Sequence, residues 1–297
     1  MNQHRDDSRL ALLLGKAALT ALEQKHVTVI GLGGVGSWAA EALVRSGIGR
    51  ITIADNDLIC PSNINRQVQA MPGAVGLPKA EVLLERLREI NPRCKAAAIT
   101  QIFSKETANL FGLENTDYII DAIDTLPHKI DLIMKGTINP VPQSPILFSC
   151  MGMAQKLDPT RIKTADIWNT RNCPLARLVR QELRKRGYTG HFTAVYSDEQ
   201  PKRREEIFFE QGSAGKKAIN NPAASSGVCC LGKVSDSGFN TQDSAASRGV
   251  LNPSHTINGS IVTVTAAAGM ILASLVIRDI LQKLPENPAG GGSAVYG

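Results

Sequence analysis

From His26 onward, short β-branched runs alternate with longer stretches whose apolar residues recur at helical spacing, the trace that a parallel sheet with crossover helices leaves in a sequence. Residues 27–30 predict a first strand, 31–36 a tight turn, and 37–45 a helix carrying Trp38, Ala39, Ala42 and Leu43, stopped by Ser46-Gly47. Residues 51–54 follow as a second strand. After a polar loop, Lys79 to Ile90 sets Ala80, Leu83, Leu84, Leu87 and Ile90 on one helical face, and Asn91-Pro92 ends it. Residues 94–100, 118–122 and 146–150 supply three more strands, the second of them running into an acidic loop at 121–124. The predicted class is α/β, a Rossmann-like doubly wound sheet.

Beyond Met151 the character changes. Residues 174–186 read as a helix with Leu175, Leu178, Val179 and Leu183 inside and Arg177, Arg180, Arg184, Lys185 and Arg186 outside. From 211 to 255 Ser, Gly, Ala and Asn dominate, the composition of a segment that buries too little to offset its ordering entropy. Residues 260–277 carry no charge and approach the length of a membrane span, but β-branched Ile261, Val262 and Val264 suggest a strand followed by a helix over 266–281. Split in this way, neither piece crosses a bilayer, and no stable membrane insertion is expected. The organisation expected is a helical segment at 1–25, a nucleotide-binding core at 26–150, a substrate-facing half at 151–284 with a flexible insertion at 211–255, and a disordered tail at 285–297.

With 297 residues, 43% of them hydrophobic and 20% charged, the chain can bury a full core, which excludes wholesale disorder. A net charge of +6 favours an anionic partner such as a nucleotide or RNA. None of the six cysteines forms a C-x-x-C pair, so spacing gives neither a zinc knuckle nor a redox motif. Arg5, Asp6, Asp7, Arg9, Lys16 and Glu23 interrupt the first residues as no secretory signal peptide would allow, and a reducing cytoplasm is the expected setting.

The segment Gly31-Leu32-Gly33-Gly34-Val35-Gly36-Ser37 satisfies G-x-G-x-x-G between a strand and a helix, so backbone N–H groups and a helix N-terminus face an anion. Asp55, at the end of the second strand, stands where a ribose hydroxyl would be held. These two features suit NAD and ATP equally. The polar set that follows separates them: Asp57, Asn63, Arg66 and Gln67, then Lys79 opening a helix and Asp124 after the fourth strand. In-line attack on the α-phosphate of a nucleoside triphosphate needs cations around the leaving pyrophosphate and a carboxylate for Mg²⁺. Arg66 and Lys79 can supply the first and Asp124 the second. Cys173, in Asn172-Cys173-Pro174, sits at a predicted helix start where a thiolate would be stabilised. With no His near it in sequence, it reads as a structural or anion-lining residue, and His128 reads as a hydrogen-bonded surface histidine.

Taken together, the G-x-G-G-x-G-S loop, Asp55 and Asp57, Ser62-Asn63-Ile64-Asn65-Arg66-Gln67, Val75-Gly76-Leu77-Pro78-Lys79-Ala80-Glu81 and Asp121-Ala122-Ile123-Asp124 resemble the adenylating family that activates ubiquitin and the bacterial sulfur-carrier proteins. The resemblance implies the ubiquitin-activating adenylation fold with a C-terminal strand/helix extension. It implies ATP and Mg²⁺ as cofactors, with Asp55 on the ribose, Asn63, Arg66 and Lys79 on the phosphates, and Asp124 on Mg²⁺. Arg9, before Leu12-Leu13-Leu14-Gly15, matches an arginine that reaches into the partner subunit's site, which implies a homodimer. Within the family, Ser37-Trp38-Ala39-Ala40-Glu41-Ala42-Leu43, Lys156-Leu157-Asp158-Pro159-Thr160 and Cys173-Pro174-Leu175-Ala176-Arg177 are similar to the branch that cyclises threonylcarbamoyladenosine in tRNA. That likeness implies ATP-dependent dehydration through adenylation of a carboxylate, with tRNA as partner. The charge of Arg177, Arg180, Arg184, Lys185 and Arg186 suits tracking of tRNA phosphates, the alternative being a solvated helix face. The alternative is an adenylating activator of a ubiquitin-like or sulfur-carrier protein, with a sulfur-transfer or carrier protein as partner. A catalytically silent nucleotide-binding adaptor is a third reading, against which Arg66, Lys79 and Asp124 speak.

Overall fold

The computed structural model describes residues 7–137, 145–200 and 259–284. Seven strands form one sheet: β1 (His26–Ile30), β2 (Arg50–Ala54), β3 (Lys95–Ile99), β4 (Tyr118–Asp121), β5 (Ile146–Cys150), β6 (Ile162–Asp166) and β7 (Thr193–Ser197). Their order is β3-β2-β1-β4-β5-β7-β6, parallel throughout except for β6, which runs antiparallel to β7 at the edge. The chain starts at β1, steps outward to β3, and returns through β4 on the other side. This places a switch of direction beside β1 and β4, where the crevice at the strands' C-terminal ends opens.

Alternation along each strand sorts the core into two layers. Val27, Val29, Ile51, Ile53, Tyr118 and Ile120 face one layer with Leu22, Leu43, Leu83, Leu87, Leu272 and Val276. Ile30, Ala54, Ile119, Leu147 and Tyr196 face the other, with Ile130, Ile133, Val179 and Leu183. The first layer is built by α2 (Lys16–Glu23), α3 (Gly36–Arg45), α4 (Lys79–Ile90) and α7 (Val262–Gln282), the second by α5 (Leu126–Thr137) and α6 (Pro174–Lys185). A short helix α1 (Ser8–Leu14) precedes α2.

Two expectations are corrected. The strand expected at 261–264 is absent: α7 is one helix of 21 residues, long and apolar enough to cross a membrane by length and composition. Val264, Thr265, Ala268, Gly269, Leu272, Ala273, Val276 and Ile280 nevertheless form a buried stripe at four-residue spacing. Packing on α3 and the sheet therefore overrides the β-propensity of its first turn. In α6 the buried positions are Ala176, Val179 and Leu183, while Leu178 is 43% exposed, because Ala176 rather than Leu178 completes the inward stripe. The insertion expected at 211–255, with Cys229-Cys230, and the tail at 285–297 lie outside the described residues.

Candidate nucleotide-binding site

The turn after β1 is closed by close backbone approach. Gly31 has φ +91°, its N–H donates to the Ala54 carbonyl at 2.8 Å, and a Cβ there would lie 2.6 Å from the Ala122 oxygen. At Gly36 a Cβ would lie 1.9 Å from the Gly31 oxygen, so the first turn of α3 sits directly on the loop. Gly34 is crowded by Thr265 of α7 and by the Arg66 stem. Gly33 has no neighbour within 4 Å in the direction of a Cβ, leaving its side of the loop open to a ligand. Ser37, expected among the cofactor contacts, is buried and turns inward: its hydroxyl donates to the Gly33 carbonyl at 2.7 Å and braces the loop.

Asp55 locks the loop to the end of β2. Its Oδ2 accepts the Leu32 N–H at 2.6 Å and its Oδ1 the Asp57 N–H at 2.9 Å. Burial holds the Asp55 carboxyl above the usual carboxylate range, opposed by the nearby Lys79 ammonium and by these two N–H groups. Each oxygen keeps acceptor capacity for a ribose hydroxyl.

Lys79 opens α4 after Pro78, and its side chain is buried while Nζ pairs with Asp57 Oδ2 at 2.7 Å. The two meet because residues 57–59 and 76–79 run side by side, with Lys79 N donating to Asp57 O at 3.0 Å and Ile59 N to Leu77 O at 2.9 Å. Arg66 is half-buried and held at one end. Its Nη1 donates to the Ser62 carbonyl at 2.8 Å and to Asn65 Oδ1 at 2.9 Å, and its carbonyl accepts the Trp38 indole N–H at 2.9 Å. Asn63 is buried, and its Oδ1 accepts the Cys60 N–H at 3.0 Å, which leaves only its amide NH₂ to reach outward.

Asp124 is exposed just past β4, its Oδ1 accepting, among the described residues, the Thr125 hydroxyl alone at 3.2 Å. Sequence reasoning missed what shapes its loop. Asp121 and Lys129 form a fully buried ion pair at 2.7 Å, and Lys129 also donates to the Cys150 carbonyl at 2.9 Å while Ser149 donates to Asp121. The other Asp121 oxygen accepts the Ile123 N–H at 3.0 Å and turns the chain toward Asp124. The available signal was a lysine on the otherwise apolar inner face of α5. Gln69 was missed as well: its Nε2 donates to the Leu32 carbonyl and ties the loop to the segment after Arg66.

The structure thus brings together Gly31, Gly33, Gly34, Gly36, Ser37, Asp55, Asp57, Asn63, Arg66 and Lys79, with Asp124 at the adjoining strand end. Arg9 stands apart on the exposed side of α1, with no ion pair among the described residues. The basic face of α6 is largely engaged within the chain. Arg180 turns in to the Thr170 hydroxyl, Arg184 lies 5.2 Å over the Trp168 ring, Lys185 pairs with Glu182, and Arg186 pairs with Asp131 at 2.9 Å. Cys173 caps α6 and is buried. The His128 ring is half-buried and its Nδ1 has no hydrogen-bond partner among the described residues, which departs from the hydrogen-bonded surface histidine expected.

A phosphate loop backed by a buried ammonium and a guanidinium held at one end, with a carboxylate across the crevice, defines a nucleoside-triphosphate-binding α/β protein rather than a dinucleotide oxidoreductase. The ThiF family model matches residues 7–139. A tRNA threonylcarbamoyladenosine dehydratase of Bacillus subtilis is 43% identical over 194 residues, which is 65% of this chain and 75% of the relative. The crystal structure of E. coli tRNA N6-threonylcarbamoyladenosine dehydratase in complex with ATP superposes with a TM-score of 0.68 at 29% identity, covering 93% of both chains. A sulfur carrier protein adenylyltransferase of Thermus thermophilus is 34% identical over 114 residues, 38% of this chain and 42% of the relative. The chain belongs to the ThiF family, in its branch of tRNA threonylcarbamoyladenosine dehydratases.

Proposed function

We propose that the protein uses ATP to dehydrate N6-threonylcarbamoyladenosine in tRNA. The observation that carries this reading is the extent of likeness: sequence similarity to the Bacillus subtilis dehydratase spans 65% of the chain at 43% identity, whereas similarity to the sulfur-carrier activator spans 38% at 34%. The chemistry follows from the carboxylate, a poor electrophile. An oxygen of the threonyl carboxylate attacks the α-phosphorus and pyrophosphate leaves; an internal nucleophile then attacks the acyl carbon and AMP departs with that oxygen. The nucleoside loses one water.

The chain's own groups fit this task. The open backbone at Gly33 and the start of α3 receive phosphate oxygens, and Arg66 and Lys79 offset the charge of the departing pyrophosphate. Asp55 holds the ribose. Asp124, an exposed carboxylate just past β4, would hold Mg²⁺. Bound there, Mg²⁺ would neutralise developing phosphate charge.

A cytoplasmic homodimer is part of this reading, with Arg9 entering the partner's site. Leu12 and Leu13 of α1 are 88% and 70% exposed, an apolar pair beside Arg9 that calls for a cover. On α6, Arg177 is left to meet tRNA phosphates. The test is incubation of the purified protein with ATP, Mg²⁺ and tRNA bearing threonylcarbamoyladenosine, followed by nucleoside mass spectrometry. ATP-dependent loss of one water is expected; no mass change with correctly modified tRNA shifts the reading to the carrier-protein activator.

A further inference from the structure

Beyond the nucleotide site, one charged group remains unexplained. Lys156 is only 2% exposed, and its Nζ is buried with no hydrogen-bond partner among the described residues. A buried ammonium without a partner is costly, and such groups persist where a ligand supplies the counter-charge. The carboxylate of Glu199, just after β7, is already committed to the backbone beside Lys156: it accepts the Leu157 N–H at 3.1 and 3.0 Å and the Asp158 N–H at 2.9 Å. Those bonds fix the segment that carries Lys156 and leave its ammonium over.

The position points to the substrate side of the site. Lys156 follows β5, the strand next to β4, and so lies at the same C-terminal edge of the sheet as Asp124. Its neighbour Gln155, with φ +59°, donates its N–H to the Gly259 carbonyl at 2.8 Å, and the adjoining Ser260 carbonyl accepts the Asn65 amide at 2.8 Å. The lysine segment is therefore tied through two hydrogen bonds to the residue next to Arg66. A Cβ at Gly152, four residues before Lys156, would lie 3.4 Å from Leu175 Cβ, so the first turn of the twelve-residue α6, with Cys173 at its N-cap position, packs against the segment that leads to Lys156.

We propose that Lys156, with the α6 N-terminus, forms the subsite that receives the substrate's carboxylate before its activation. This rests on the dehydratase reading and deepens it. Arg66 and Lys79 serve the triphosphate, so a second anion brought against it needs a cation of its own. Lys156 is a positioning group for that anion.

Charge state supplies a readout that a purely structural lysine would not move. Burial lowers the Lys156 pKa, Arg161 before β6 adds to this, and Cys173 on α6 with Glu199 and Asp198 after β7 oppose it. Activity carried by the ammonium is present below that depressed pKa and fades as pH rises through it. A Lys156→Arg variant, charged at any usable pH, keeps its activity there.

Thermal unfolding of the full chain with N-carbamoylthreonine tests the subsite without turnover. The acid is expected to raise Tm of the wild type and of Lys156→Arg, its methyl ester to raise neither, and Lys156→Met to respond to neither compound. With modified tRNA, Lys156→Met is expected to raise KM about tenfold or more while ATP affinity stays within twofold. No response of the wild type to the acid, an equal response of Lys156→Met, or a parallel loss of ATP affinity overturns the proposal. A Lys156-dependent response in a protein that leaves modified tRNA unchanged keeps the carboxylate subsite and rejects the dehydratase reading.

Discussion

Two lysines in this protein carry opposite kinds of importance, and their burial and partners separate them. Lys129 and Asp121 are both fully buried, so removing the cation strands a carboxylate in the core. Lys129→Met is expected to cost about 3–5 kcal/mol, since breaking a buried pair leaves its charge uncompensated, and to lower Tm by roughly 10 °C in thermal unfolding. Lys79 instead pairs with an Asp57 that is 61% exposed, so water takes over when the cation is lost. Lys79→Met should therefore unfold within a few degrees of the wild type at neutral pH while losing about 100-fold in ATP–pyrophosphate exchange. Its pH dependence has a definite sign. Asp55 titrates above the usual carboxylate range through burial, so its ionisation costs stability as pH rises through that raised value, and Lys79 limits the cost. The Tm gap between Lys79→Met and wild type should be smallest in acid and widen as pH rises. Asp124→Ala, at an exposed carboxylate with one weak partner, should keep Tm within about 2 °C and abolish exchange, as its proposed metal role requires.

At the scale of elements, α7 is where sequence and structure part. The phosphate loop was legible because its constraints are local: Gly31 needs its positive φ and Gly36 its contact with the Gly31 carbonyl, whatever lies elsewhere. The start of α7 was not, since Ile261, Val262 and Val264 carry a strand's propensity; Ile261 stays extended at the N-cap, and the packing of α7 on distant α3 makes Val262 and Val264 helical. Lys129 escaped for the same reason, its partner lying eight residues away on a strand end. The α3–α7 contact also reaches the site. A Cβ at Gly269 would stand 2.5 Å from the Val35 carbonyl oxygen and 3.0 Å from Ala39 N. Gly269→Ala gains about 1 kcal/mol of helix propensity, but overpacking against backbone costs about 1–3 kcal/mol, so the clash should win. Because Val35 belongs to the phosphate loop, the variant is expected to lose ATP affinity along with Tm, measured by calorimetry and thermal unfolding. A rise in Tm at unchanged affinity would show that α7 can retreat freely.

At the scale of the whole molecule, the proposed homodimer turns on Arg9, whose side chain has no ion pair in its own chain among the described residues and sits beside exposed Leu12 and Leu13. If Arg9 serves the partner's site, as the proposed homodimer requires, its loss and the loss of Lys79 damage different sites in a mixed dimer. An Arg9→Ala subunit keeps its own Lys79 and receives an intact Arg9 from a Lys79→Met partner, restoring that site. The other site lacks both groups. Random exchange makes half the dimers mixed, each with one working site of two, so an equal mixture of two inactive variants should recover about a quarter of wild-type dehydration. Were Arg9 to act within its own chain, no pairing would rebuild a site and the mixture would stay inactive. Leu12→Asp with Leu13→Asp supplies the control: charges in the apolar pair should yield monomers in sedimentation and prevent complementation, while each subunit keeps its fold and its ATP affinity.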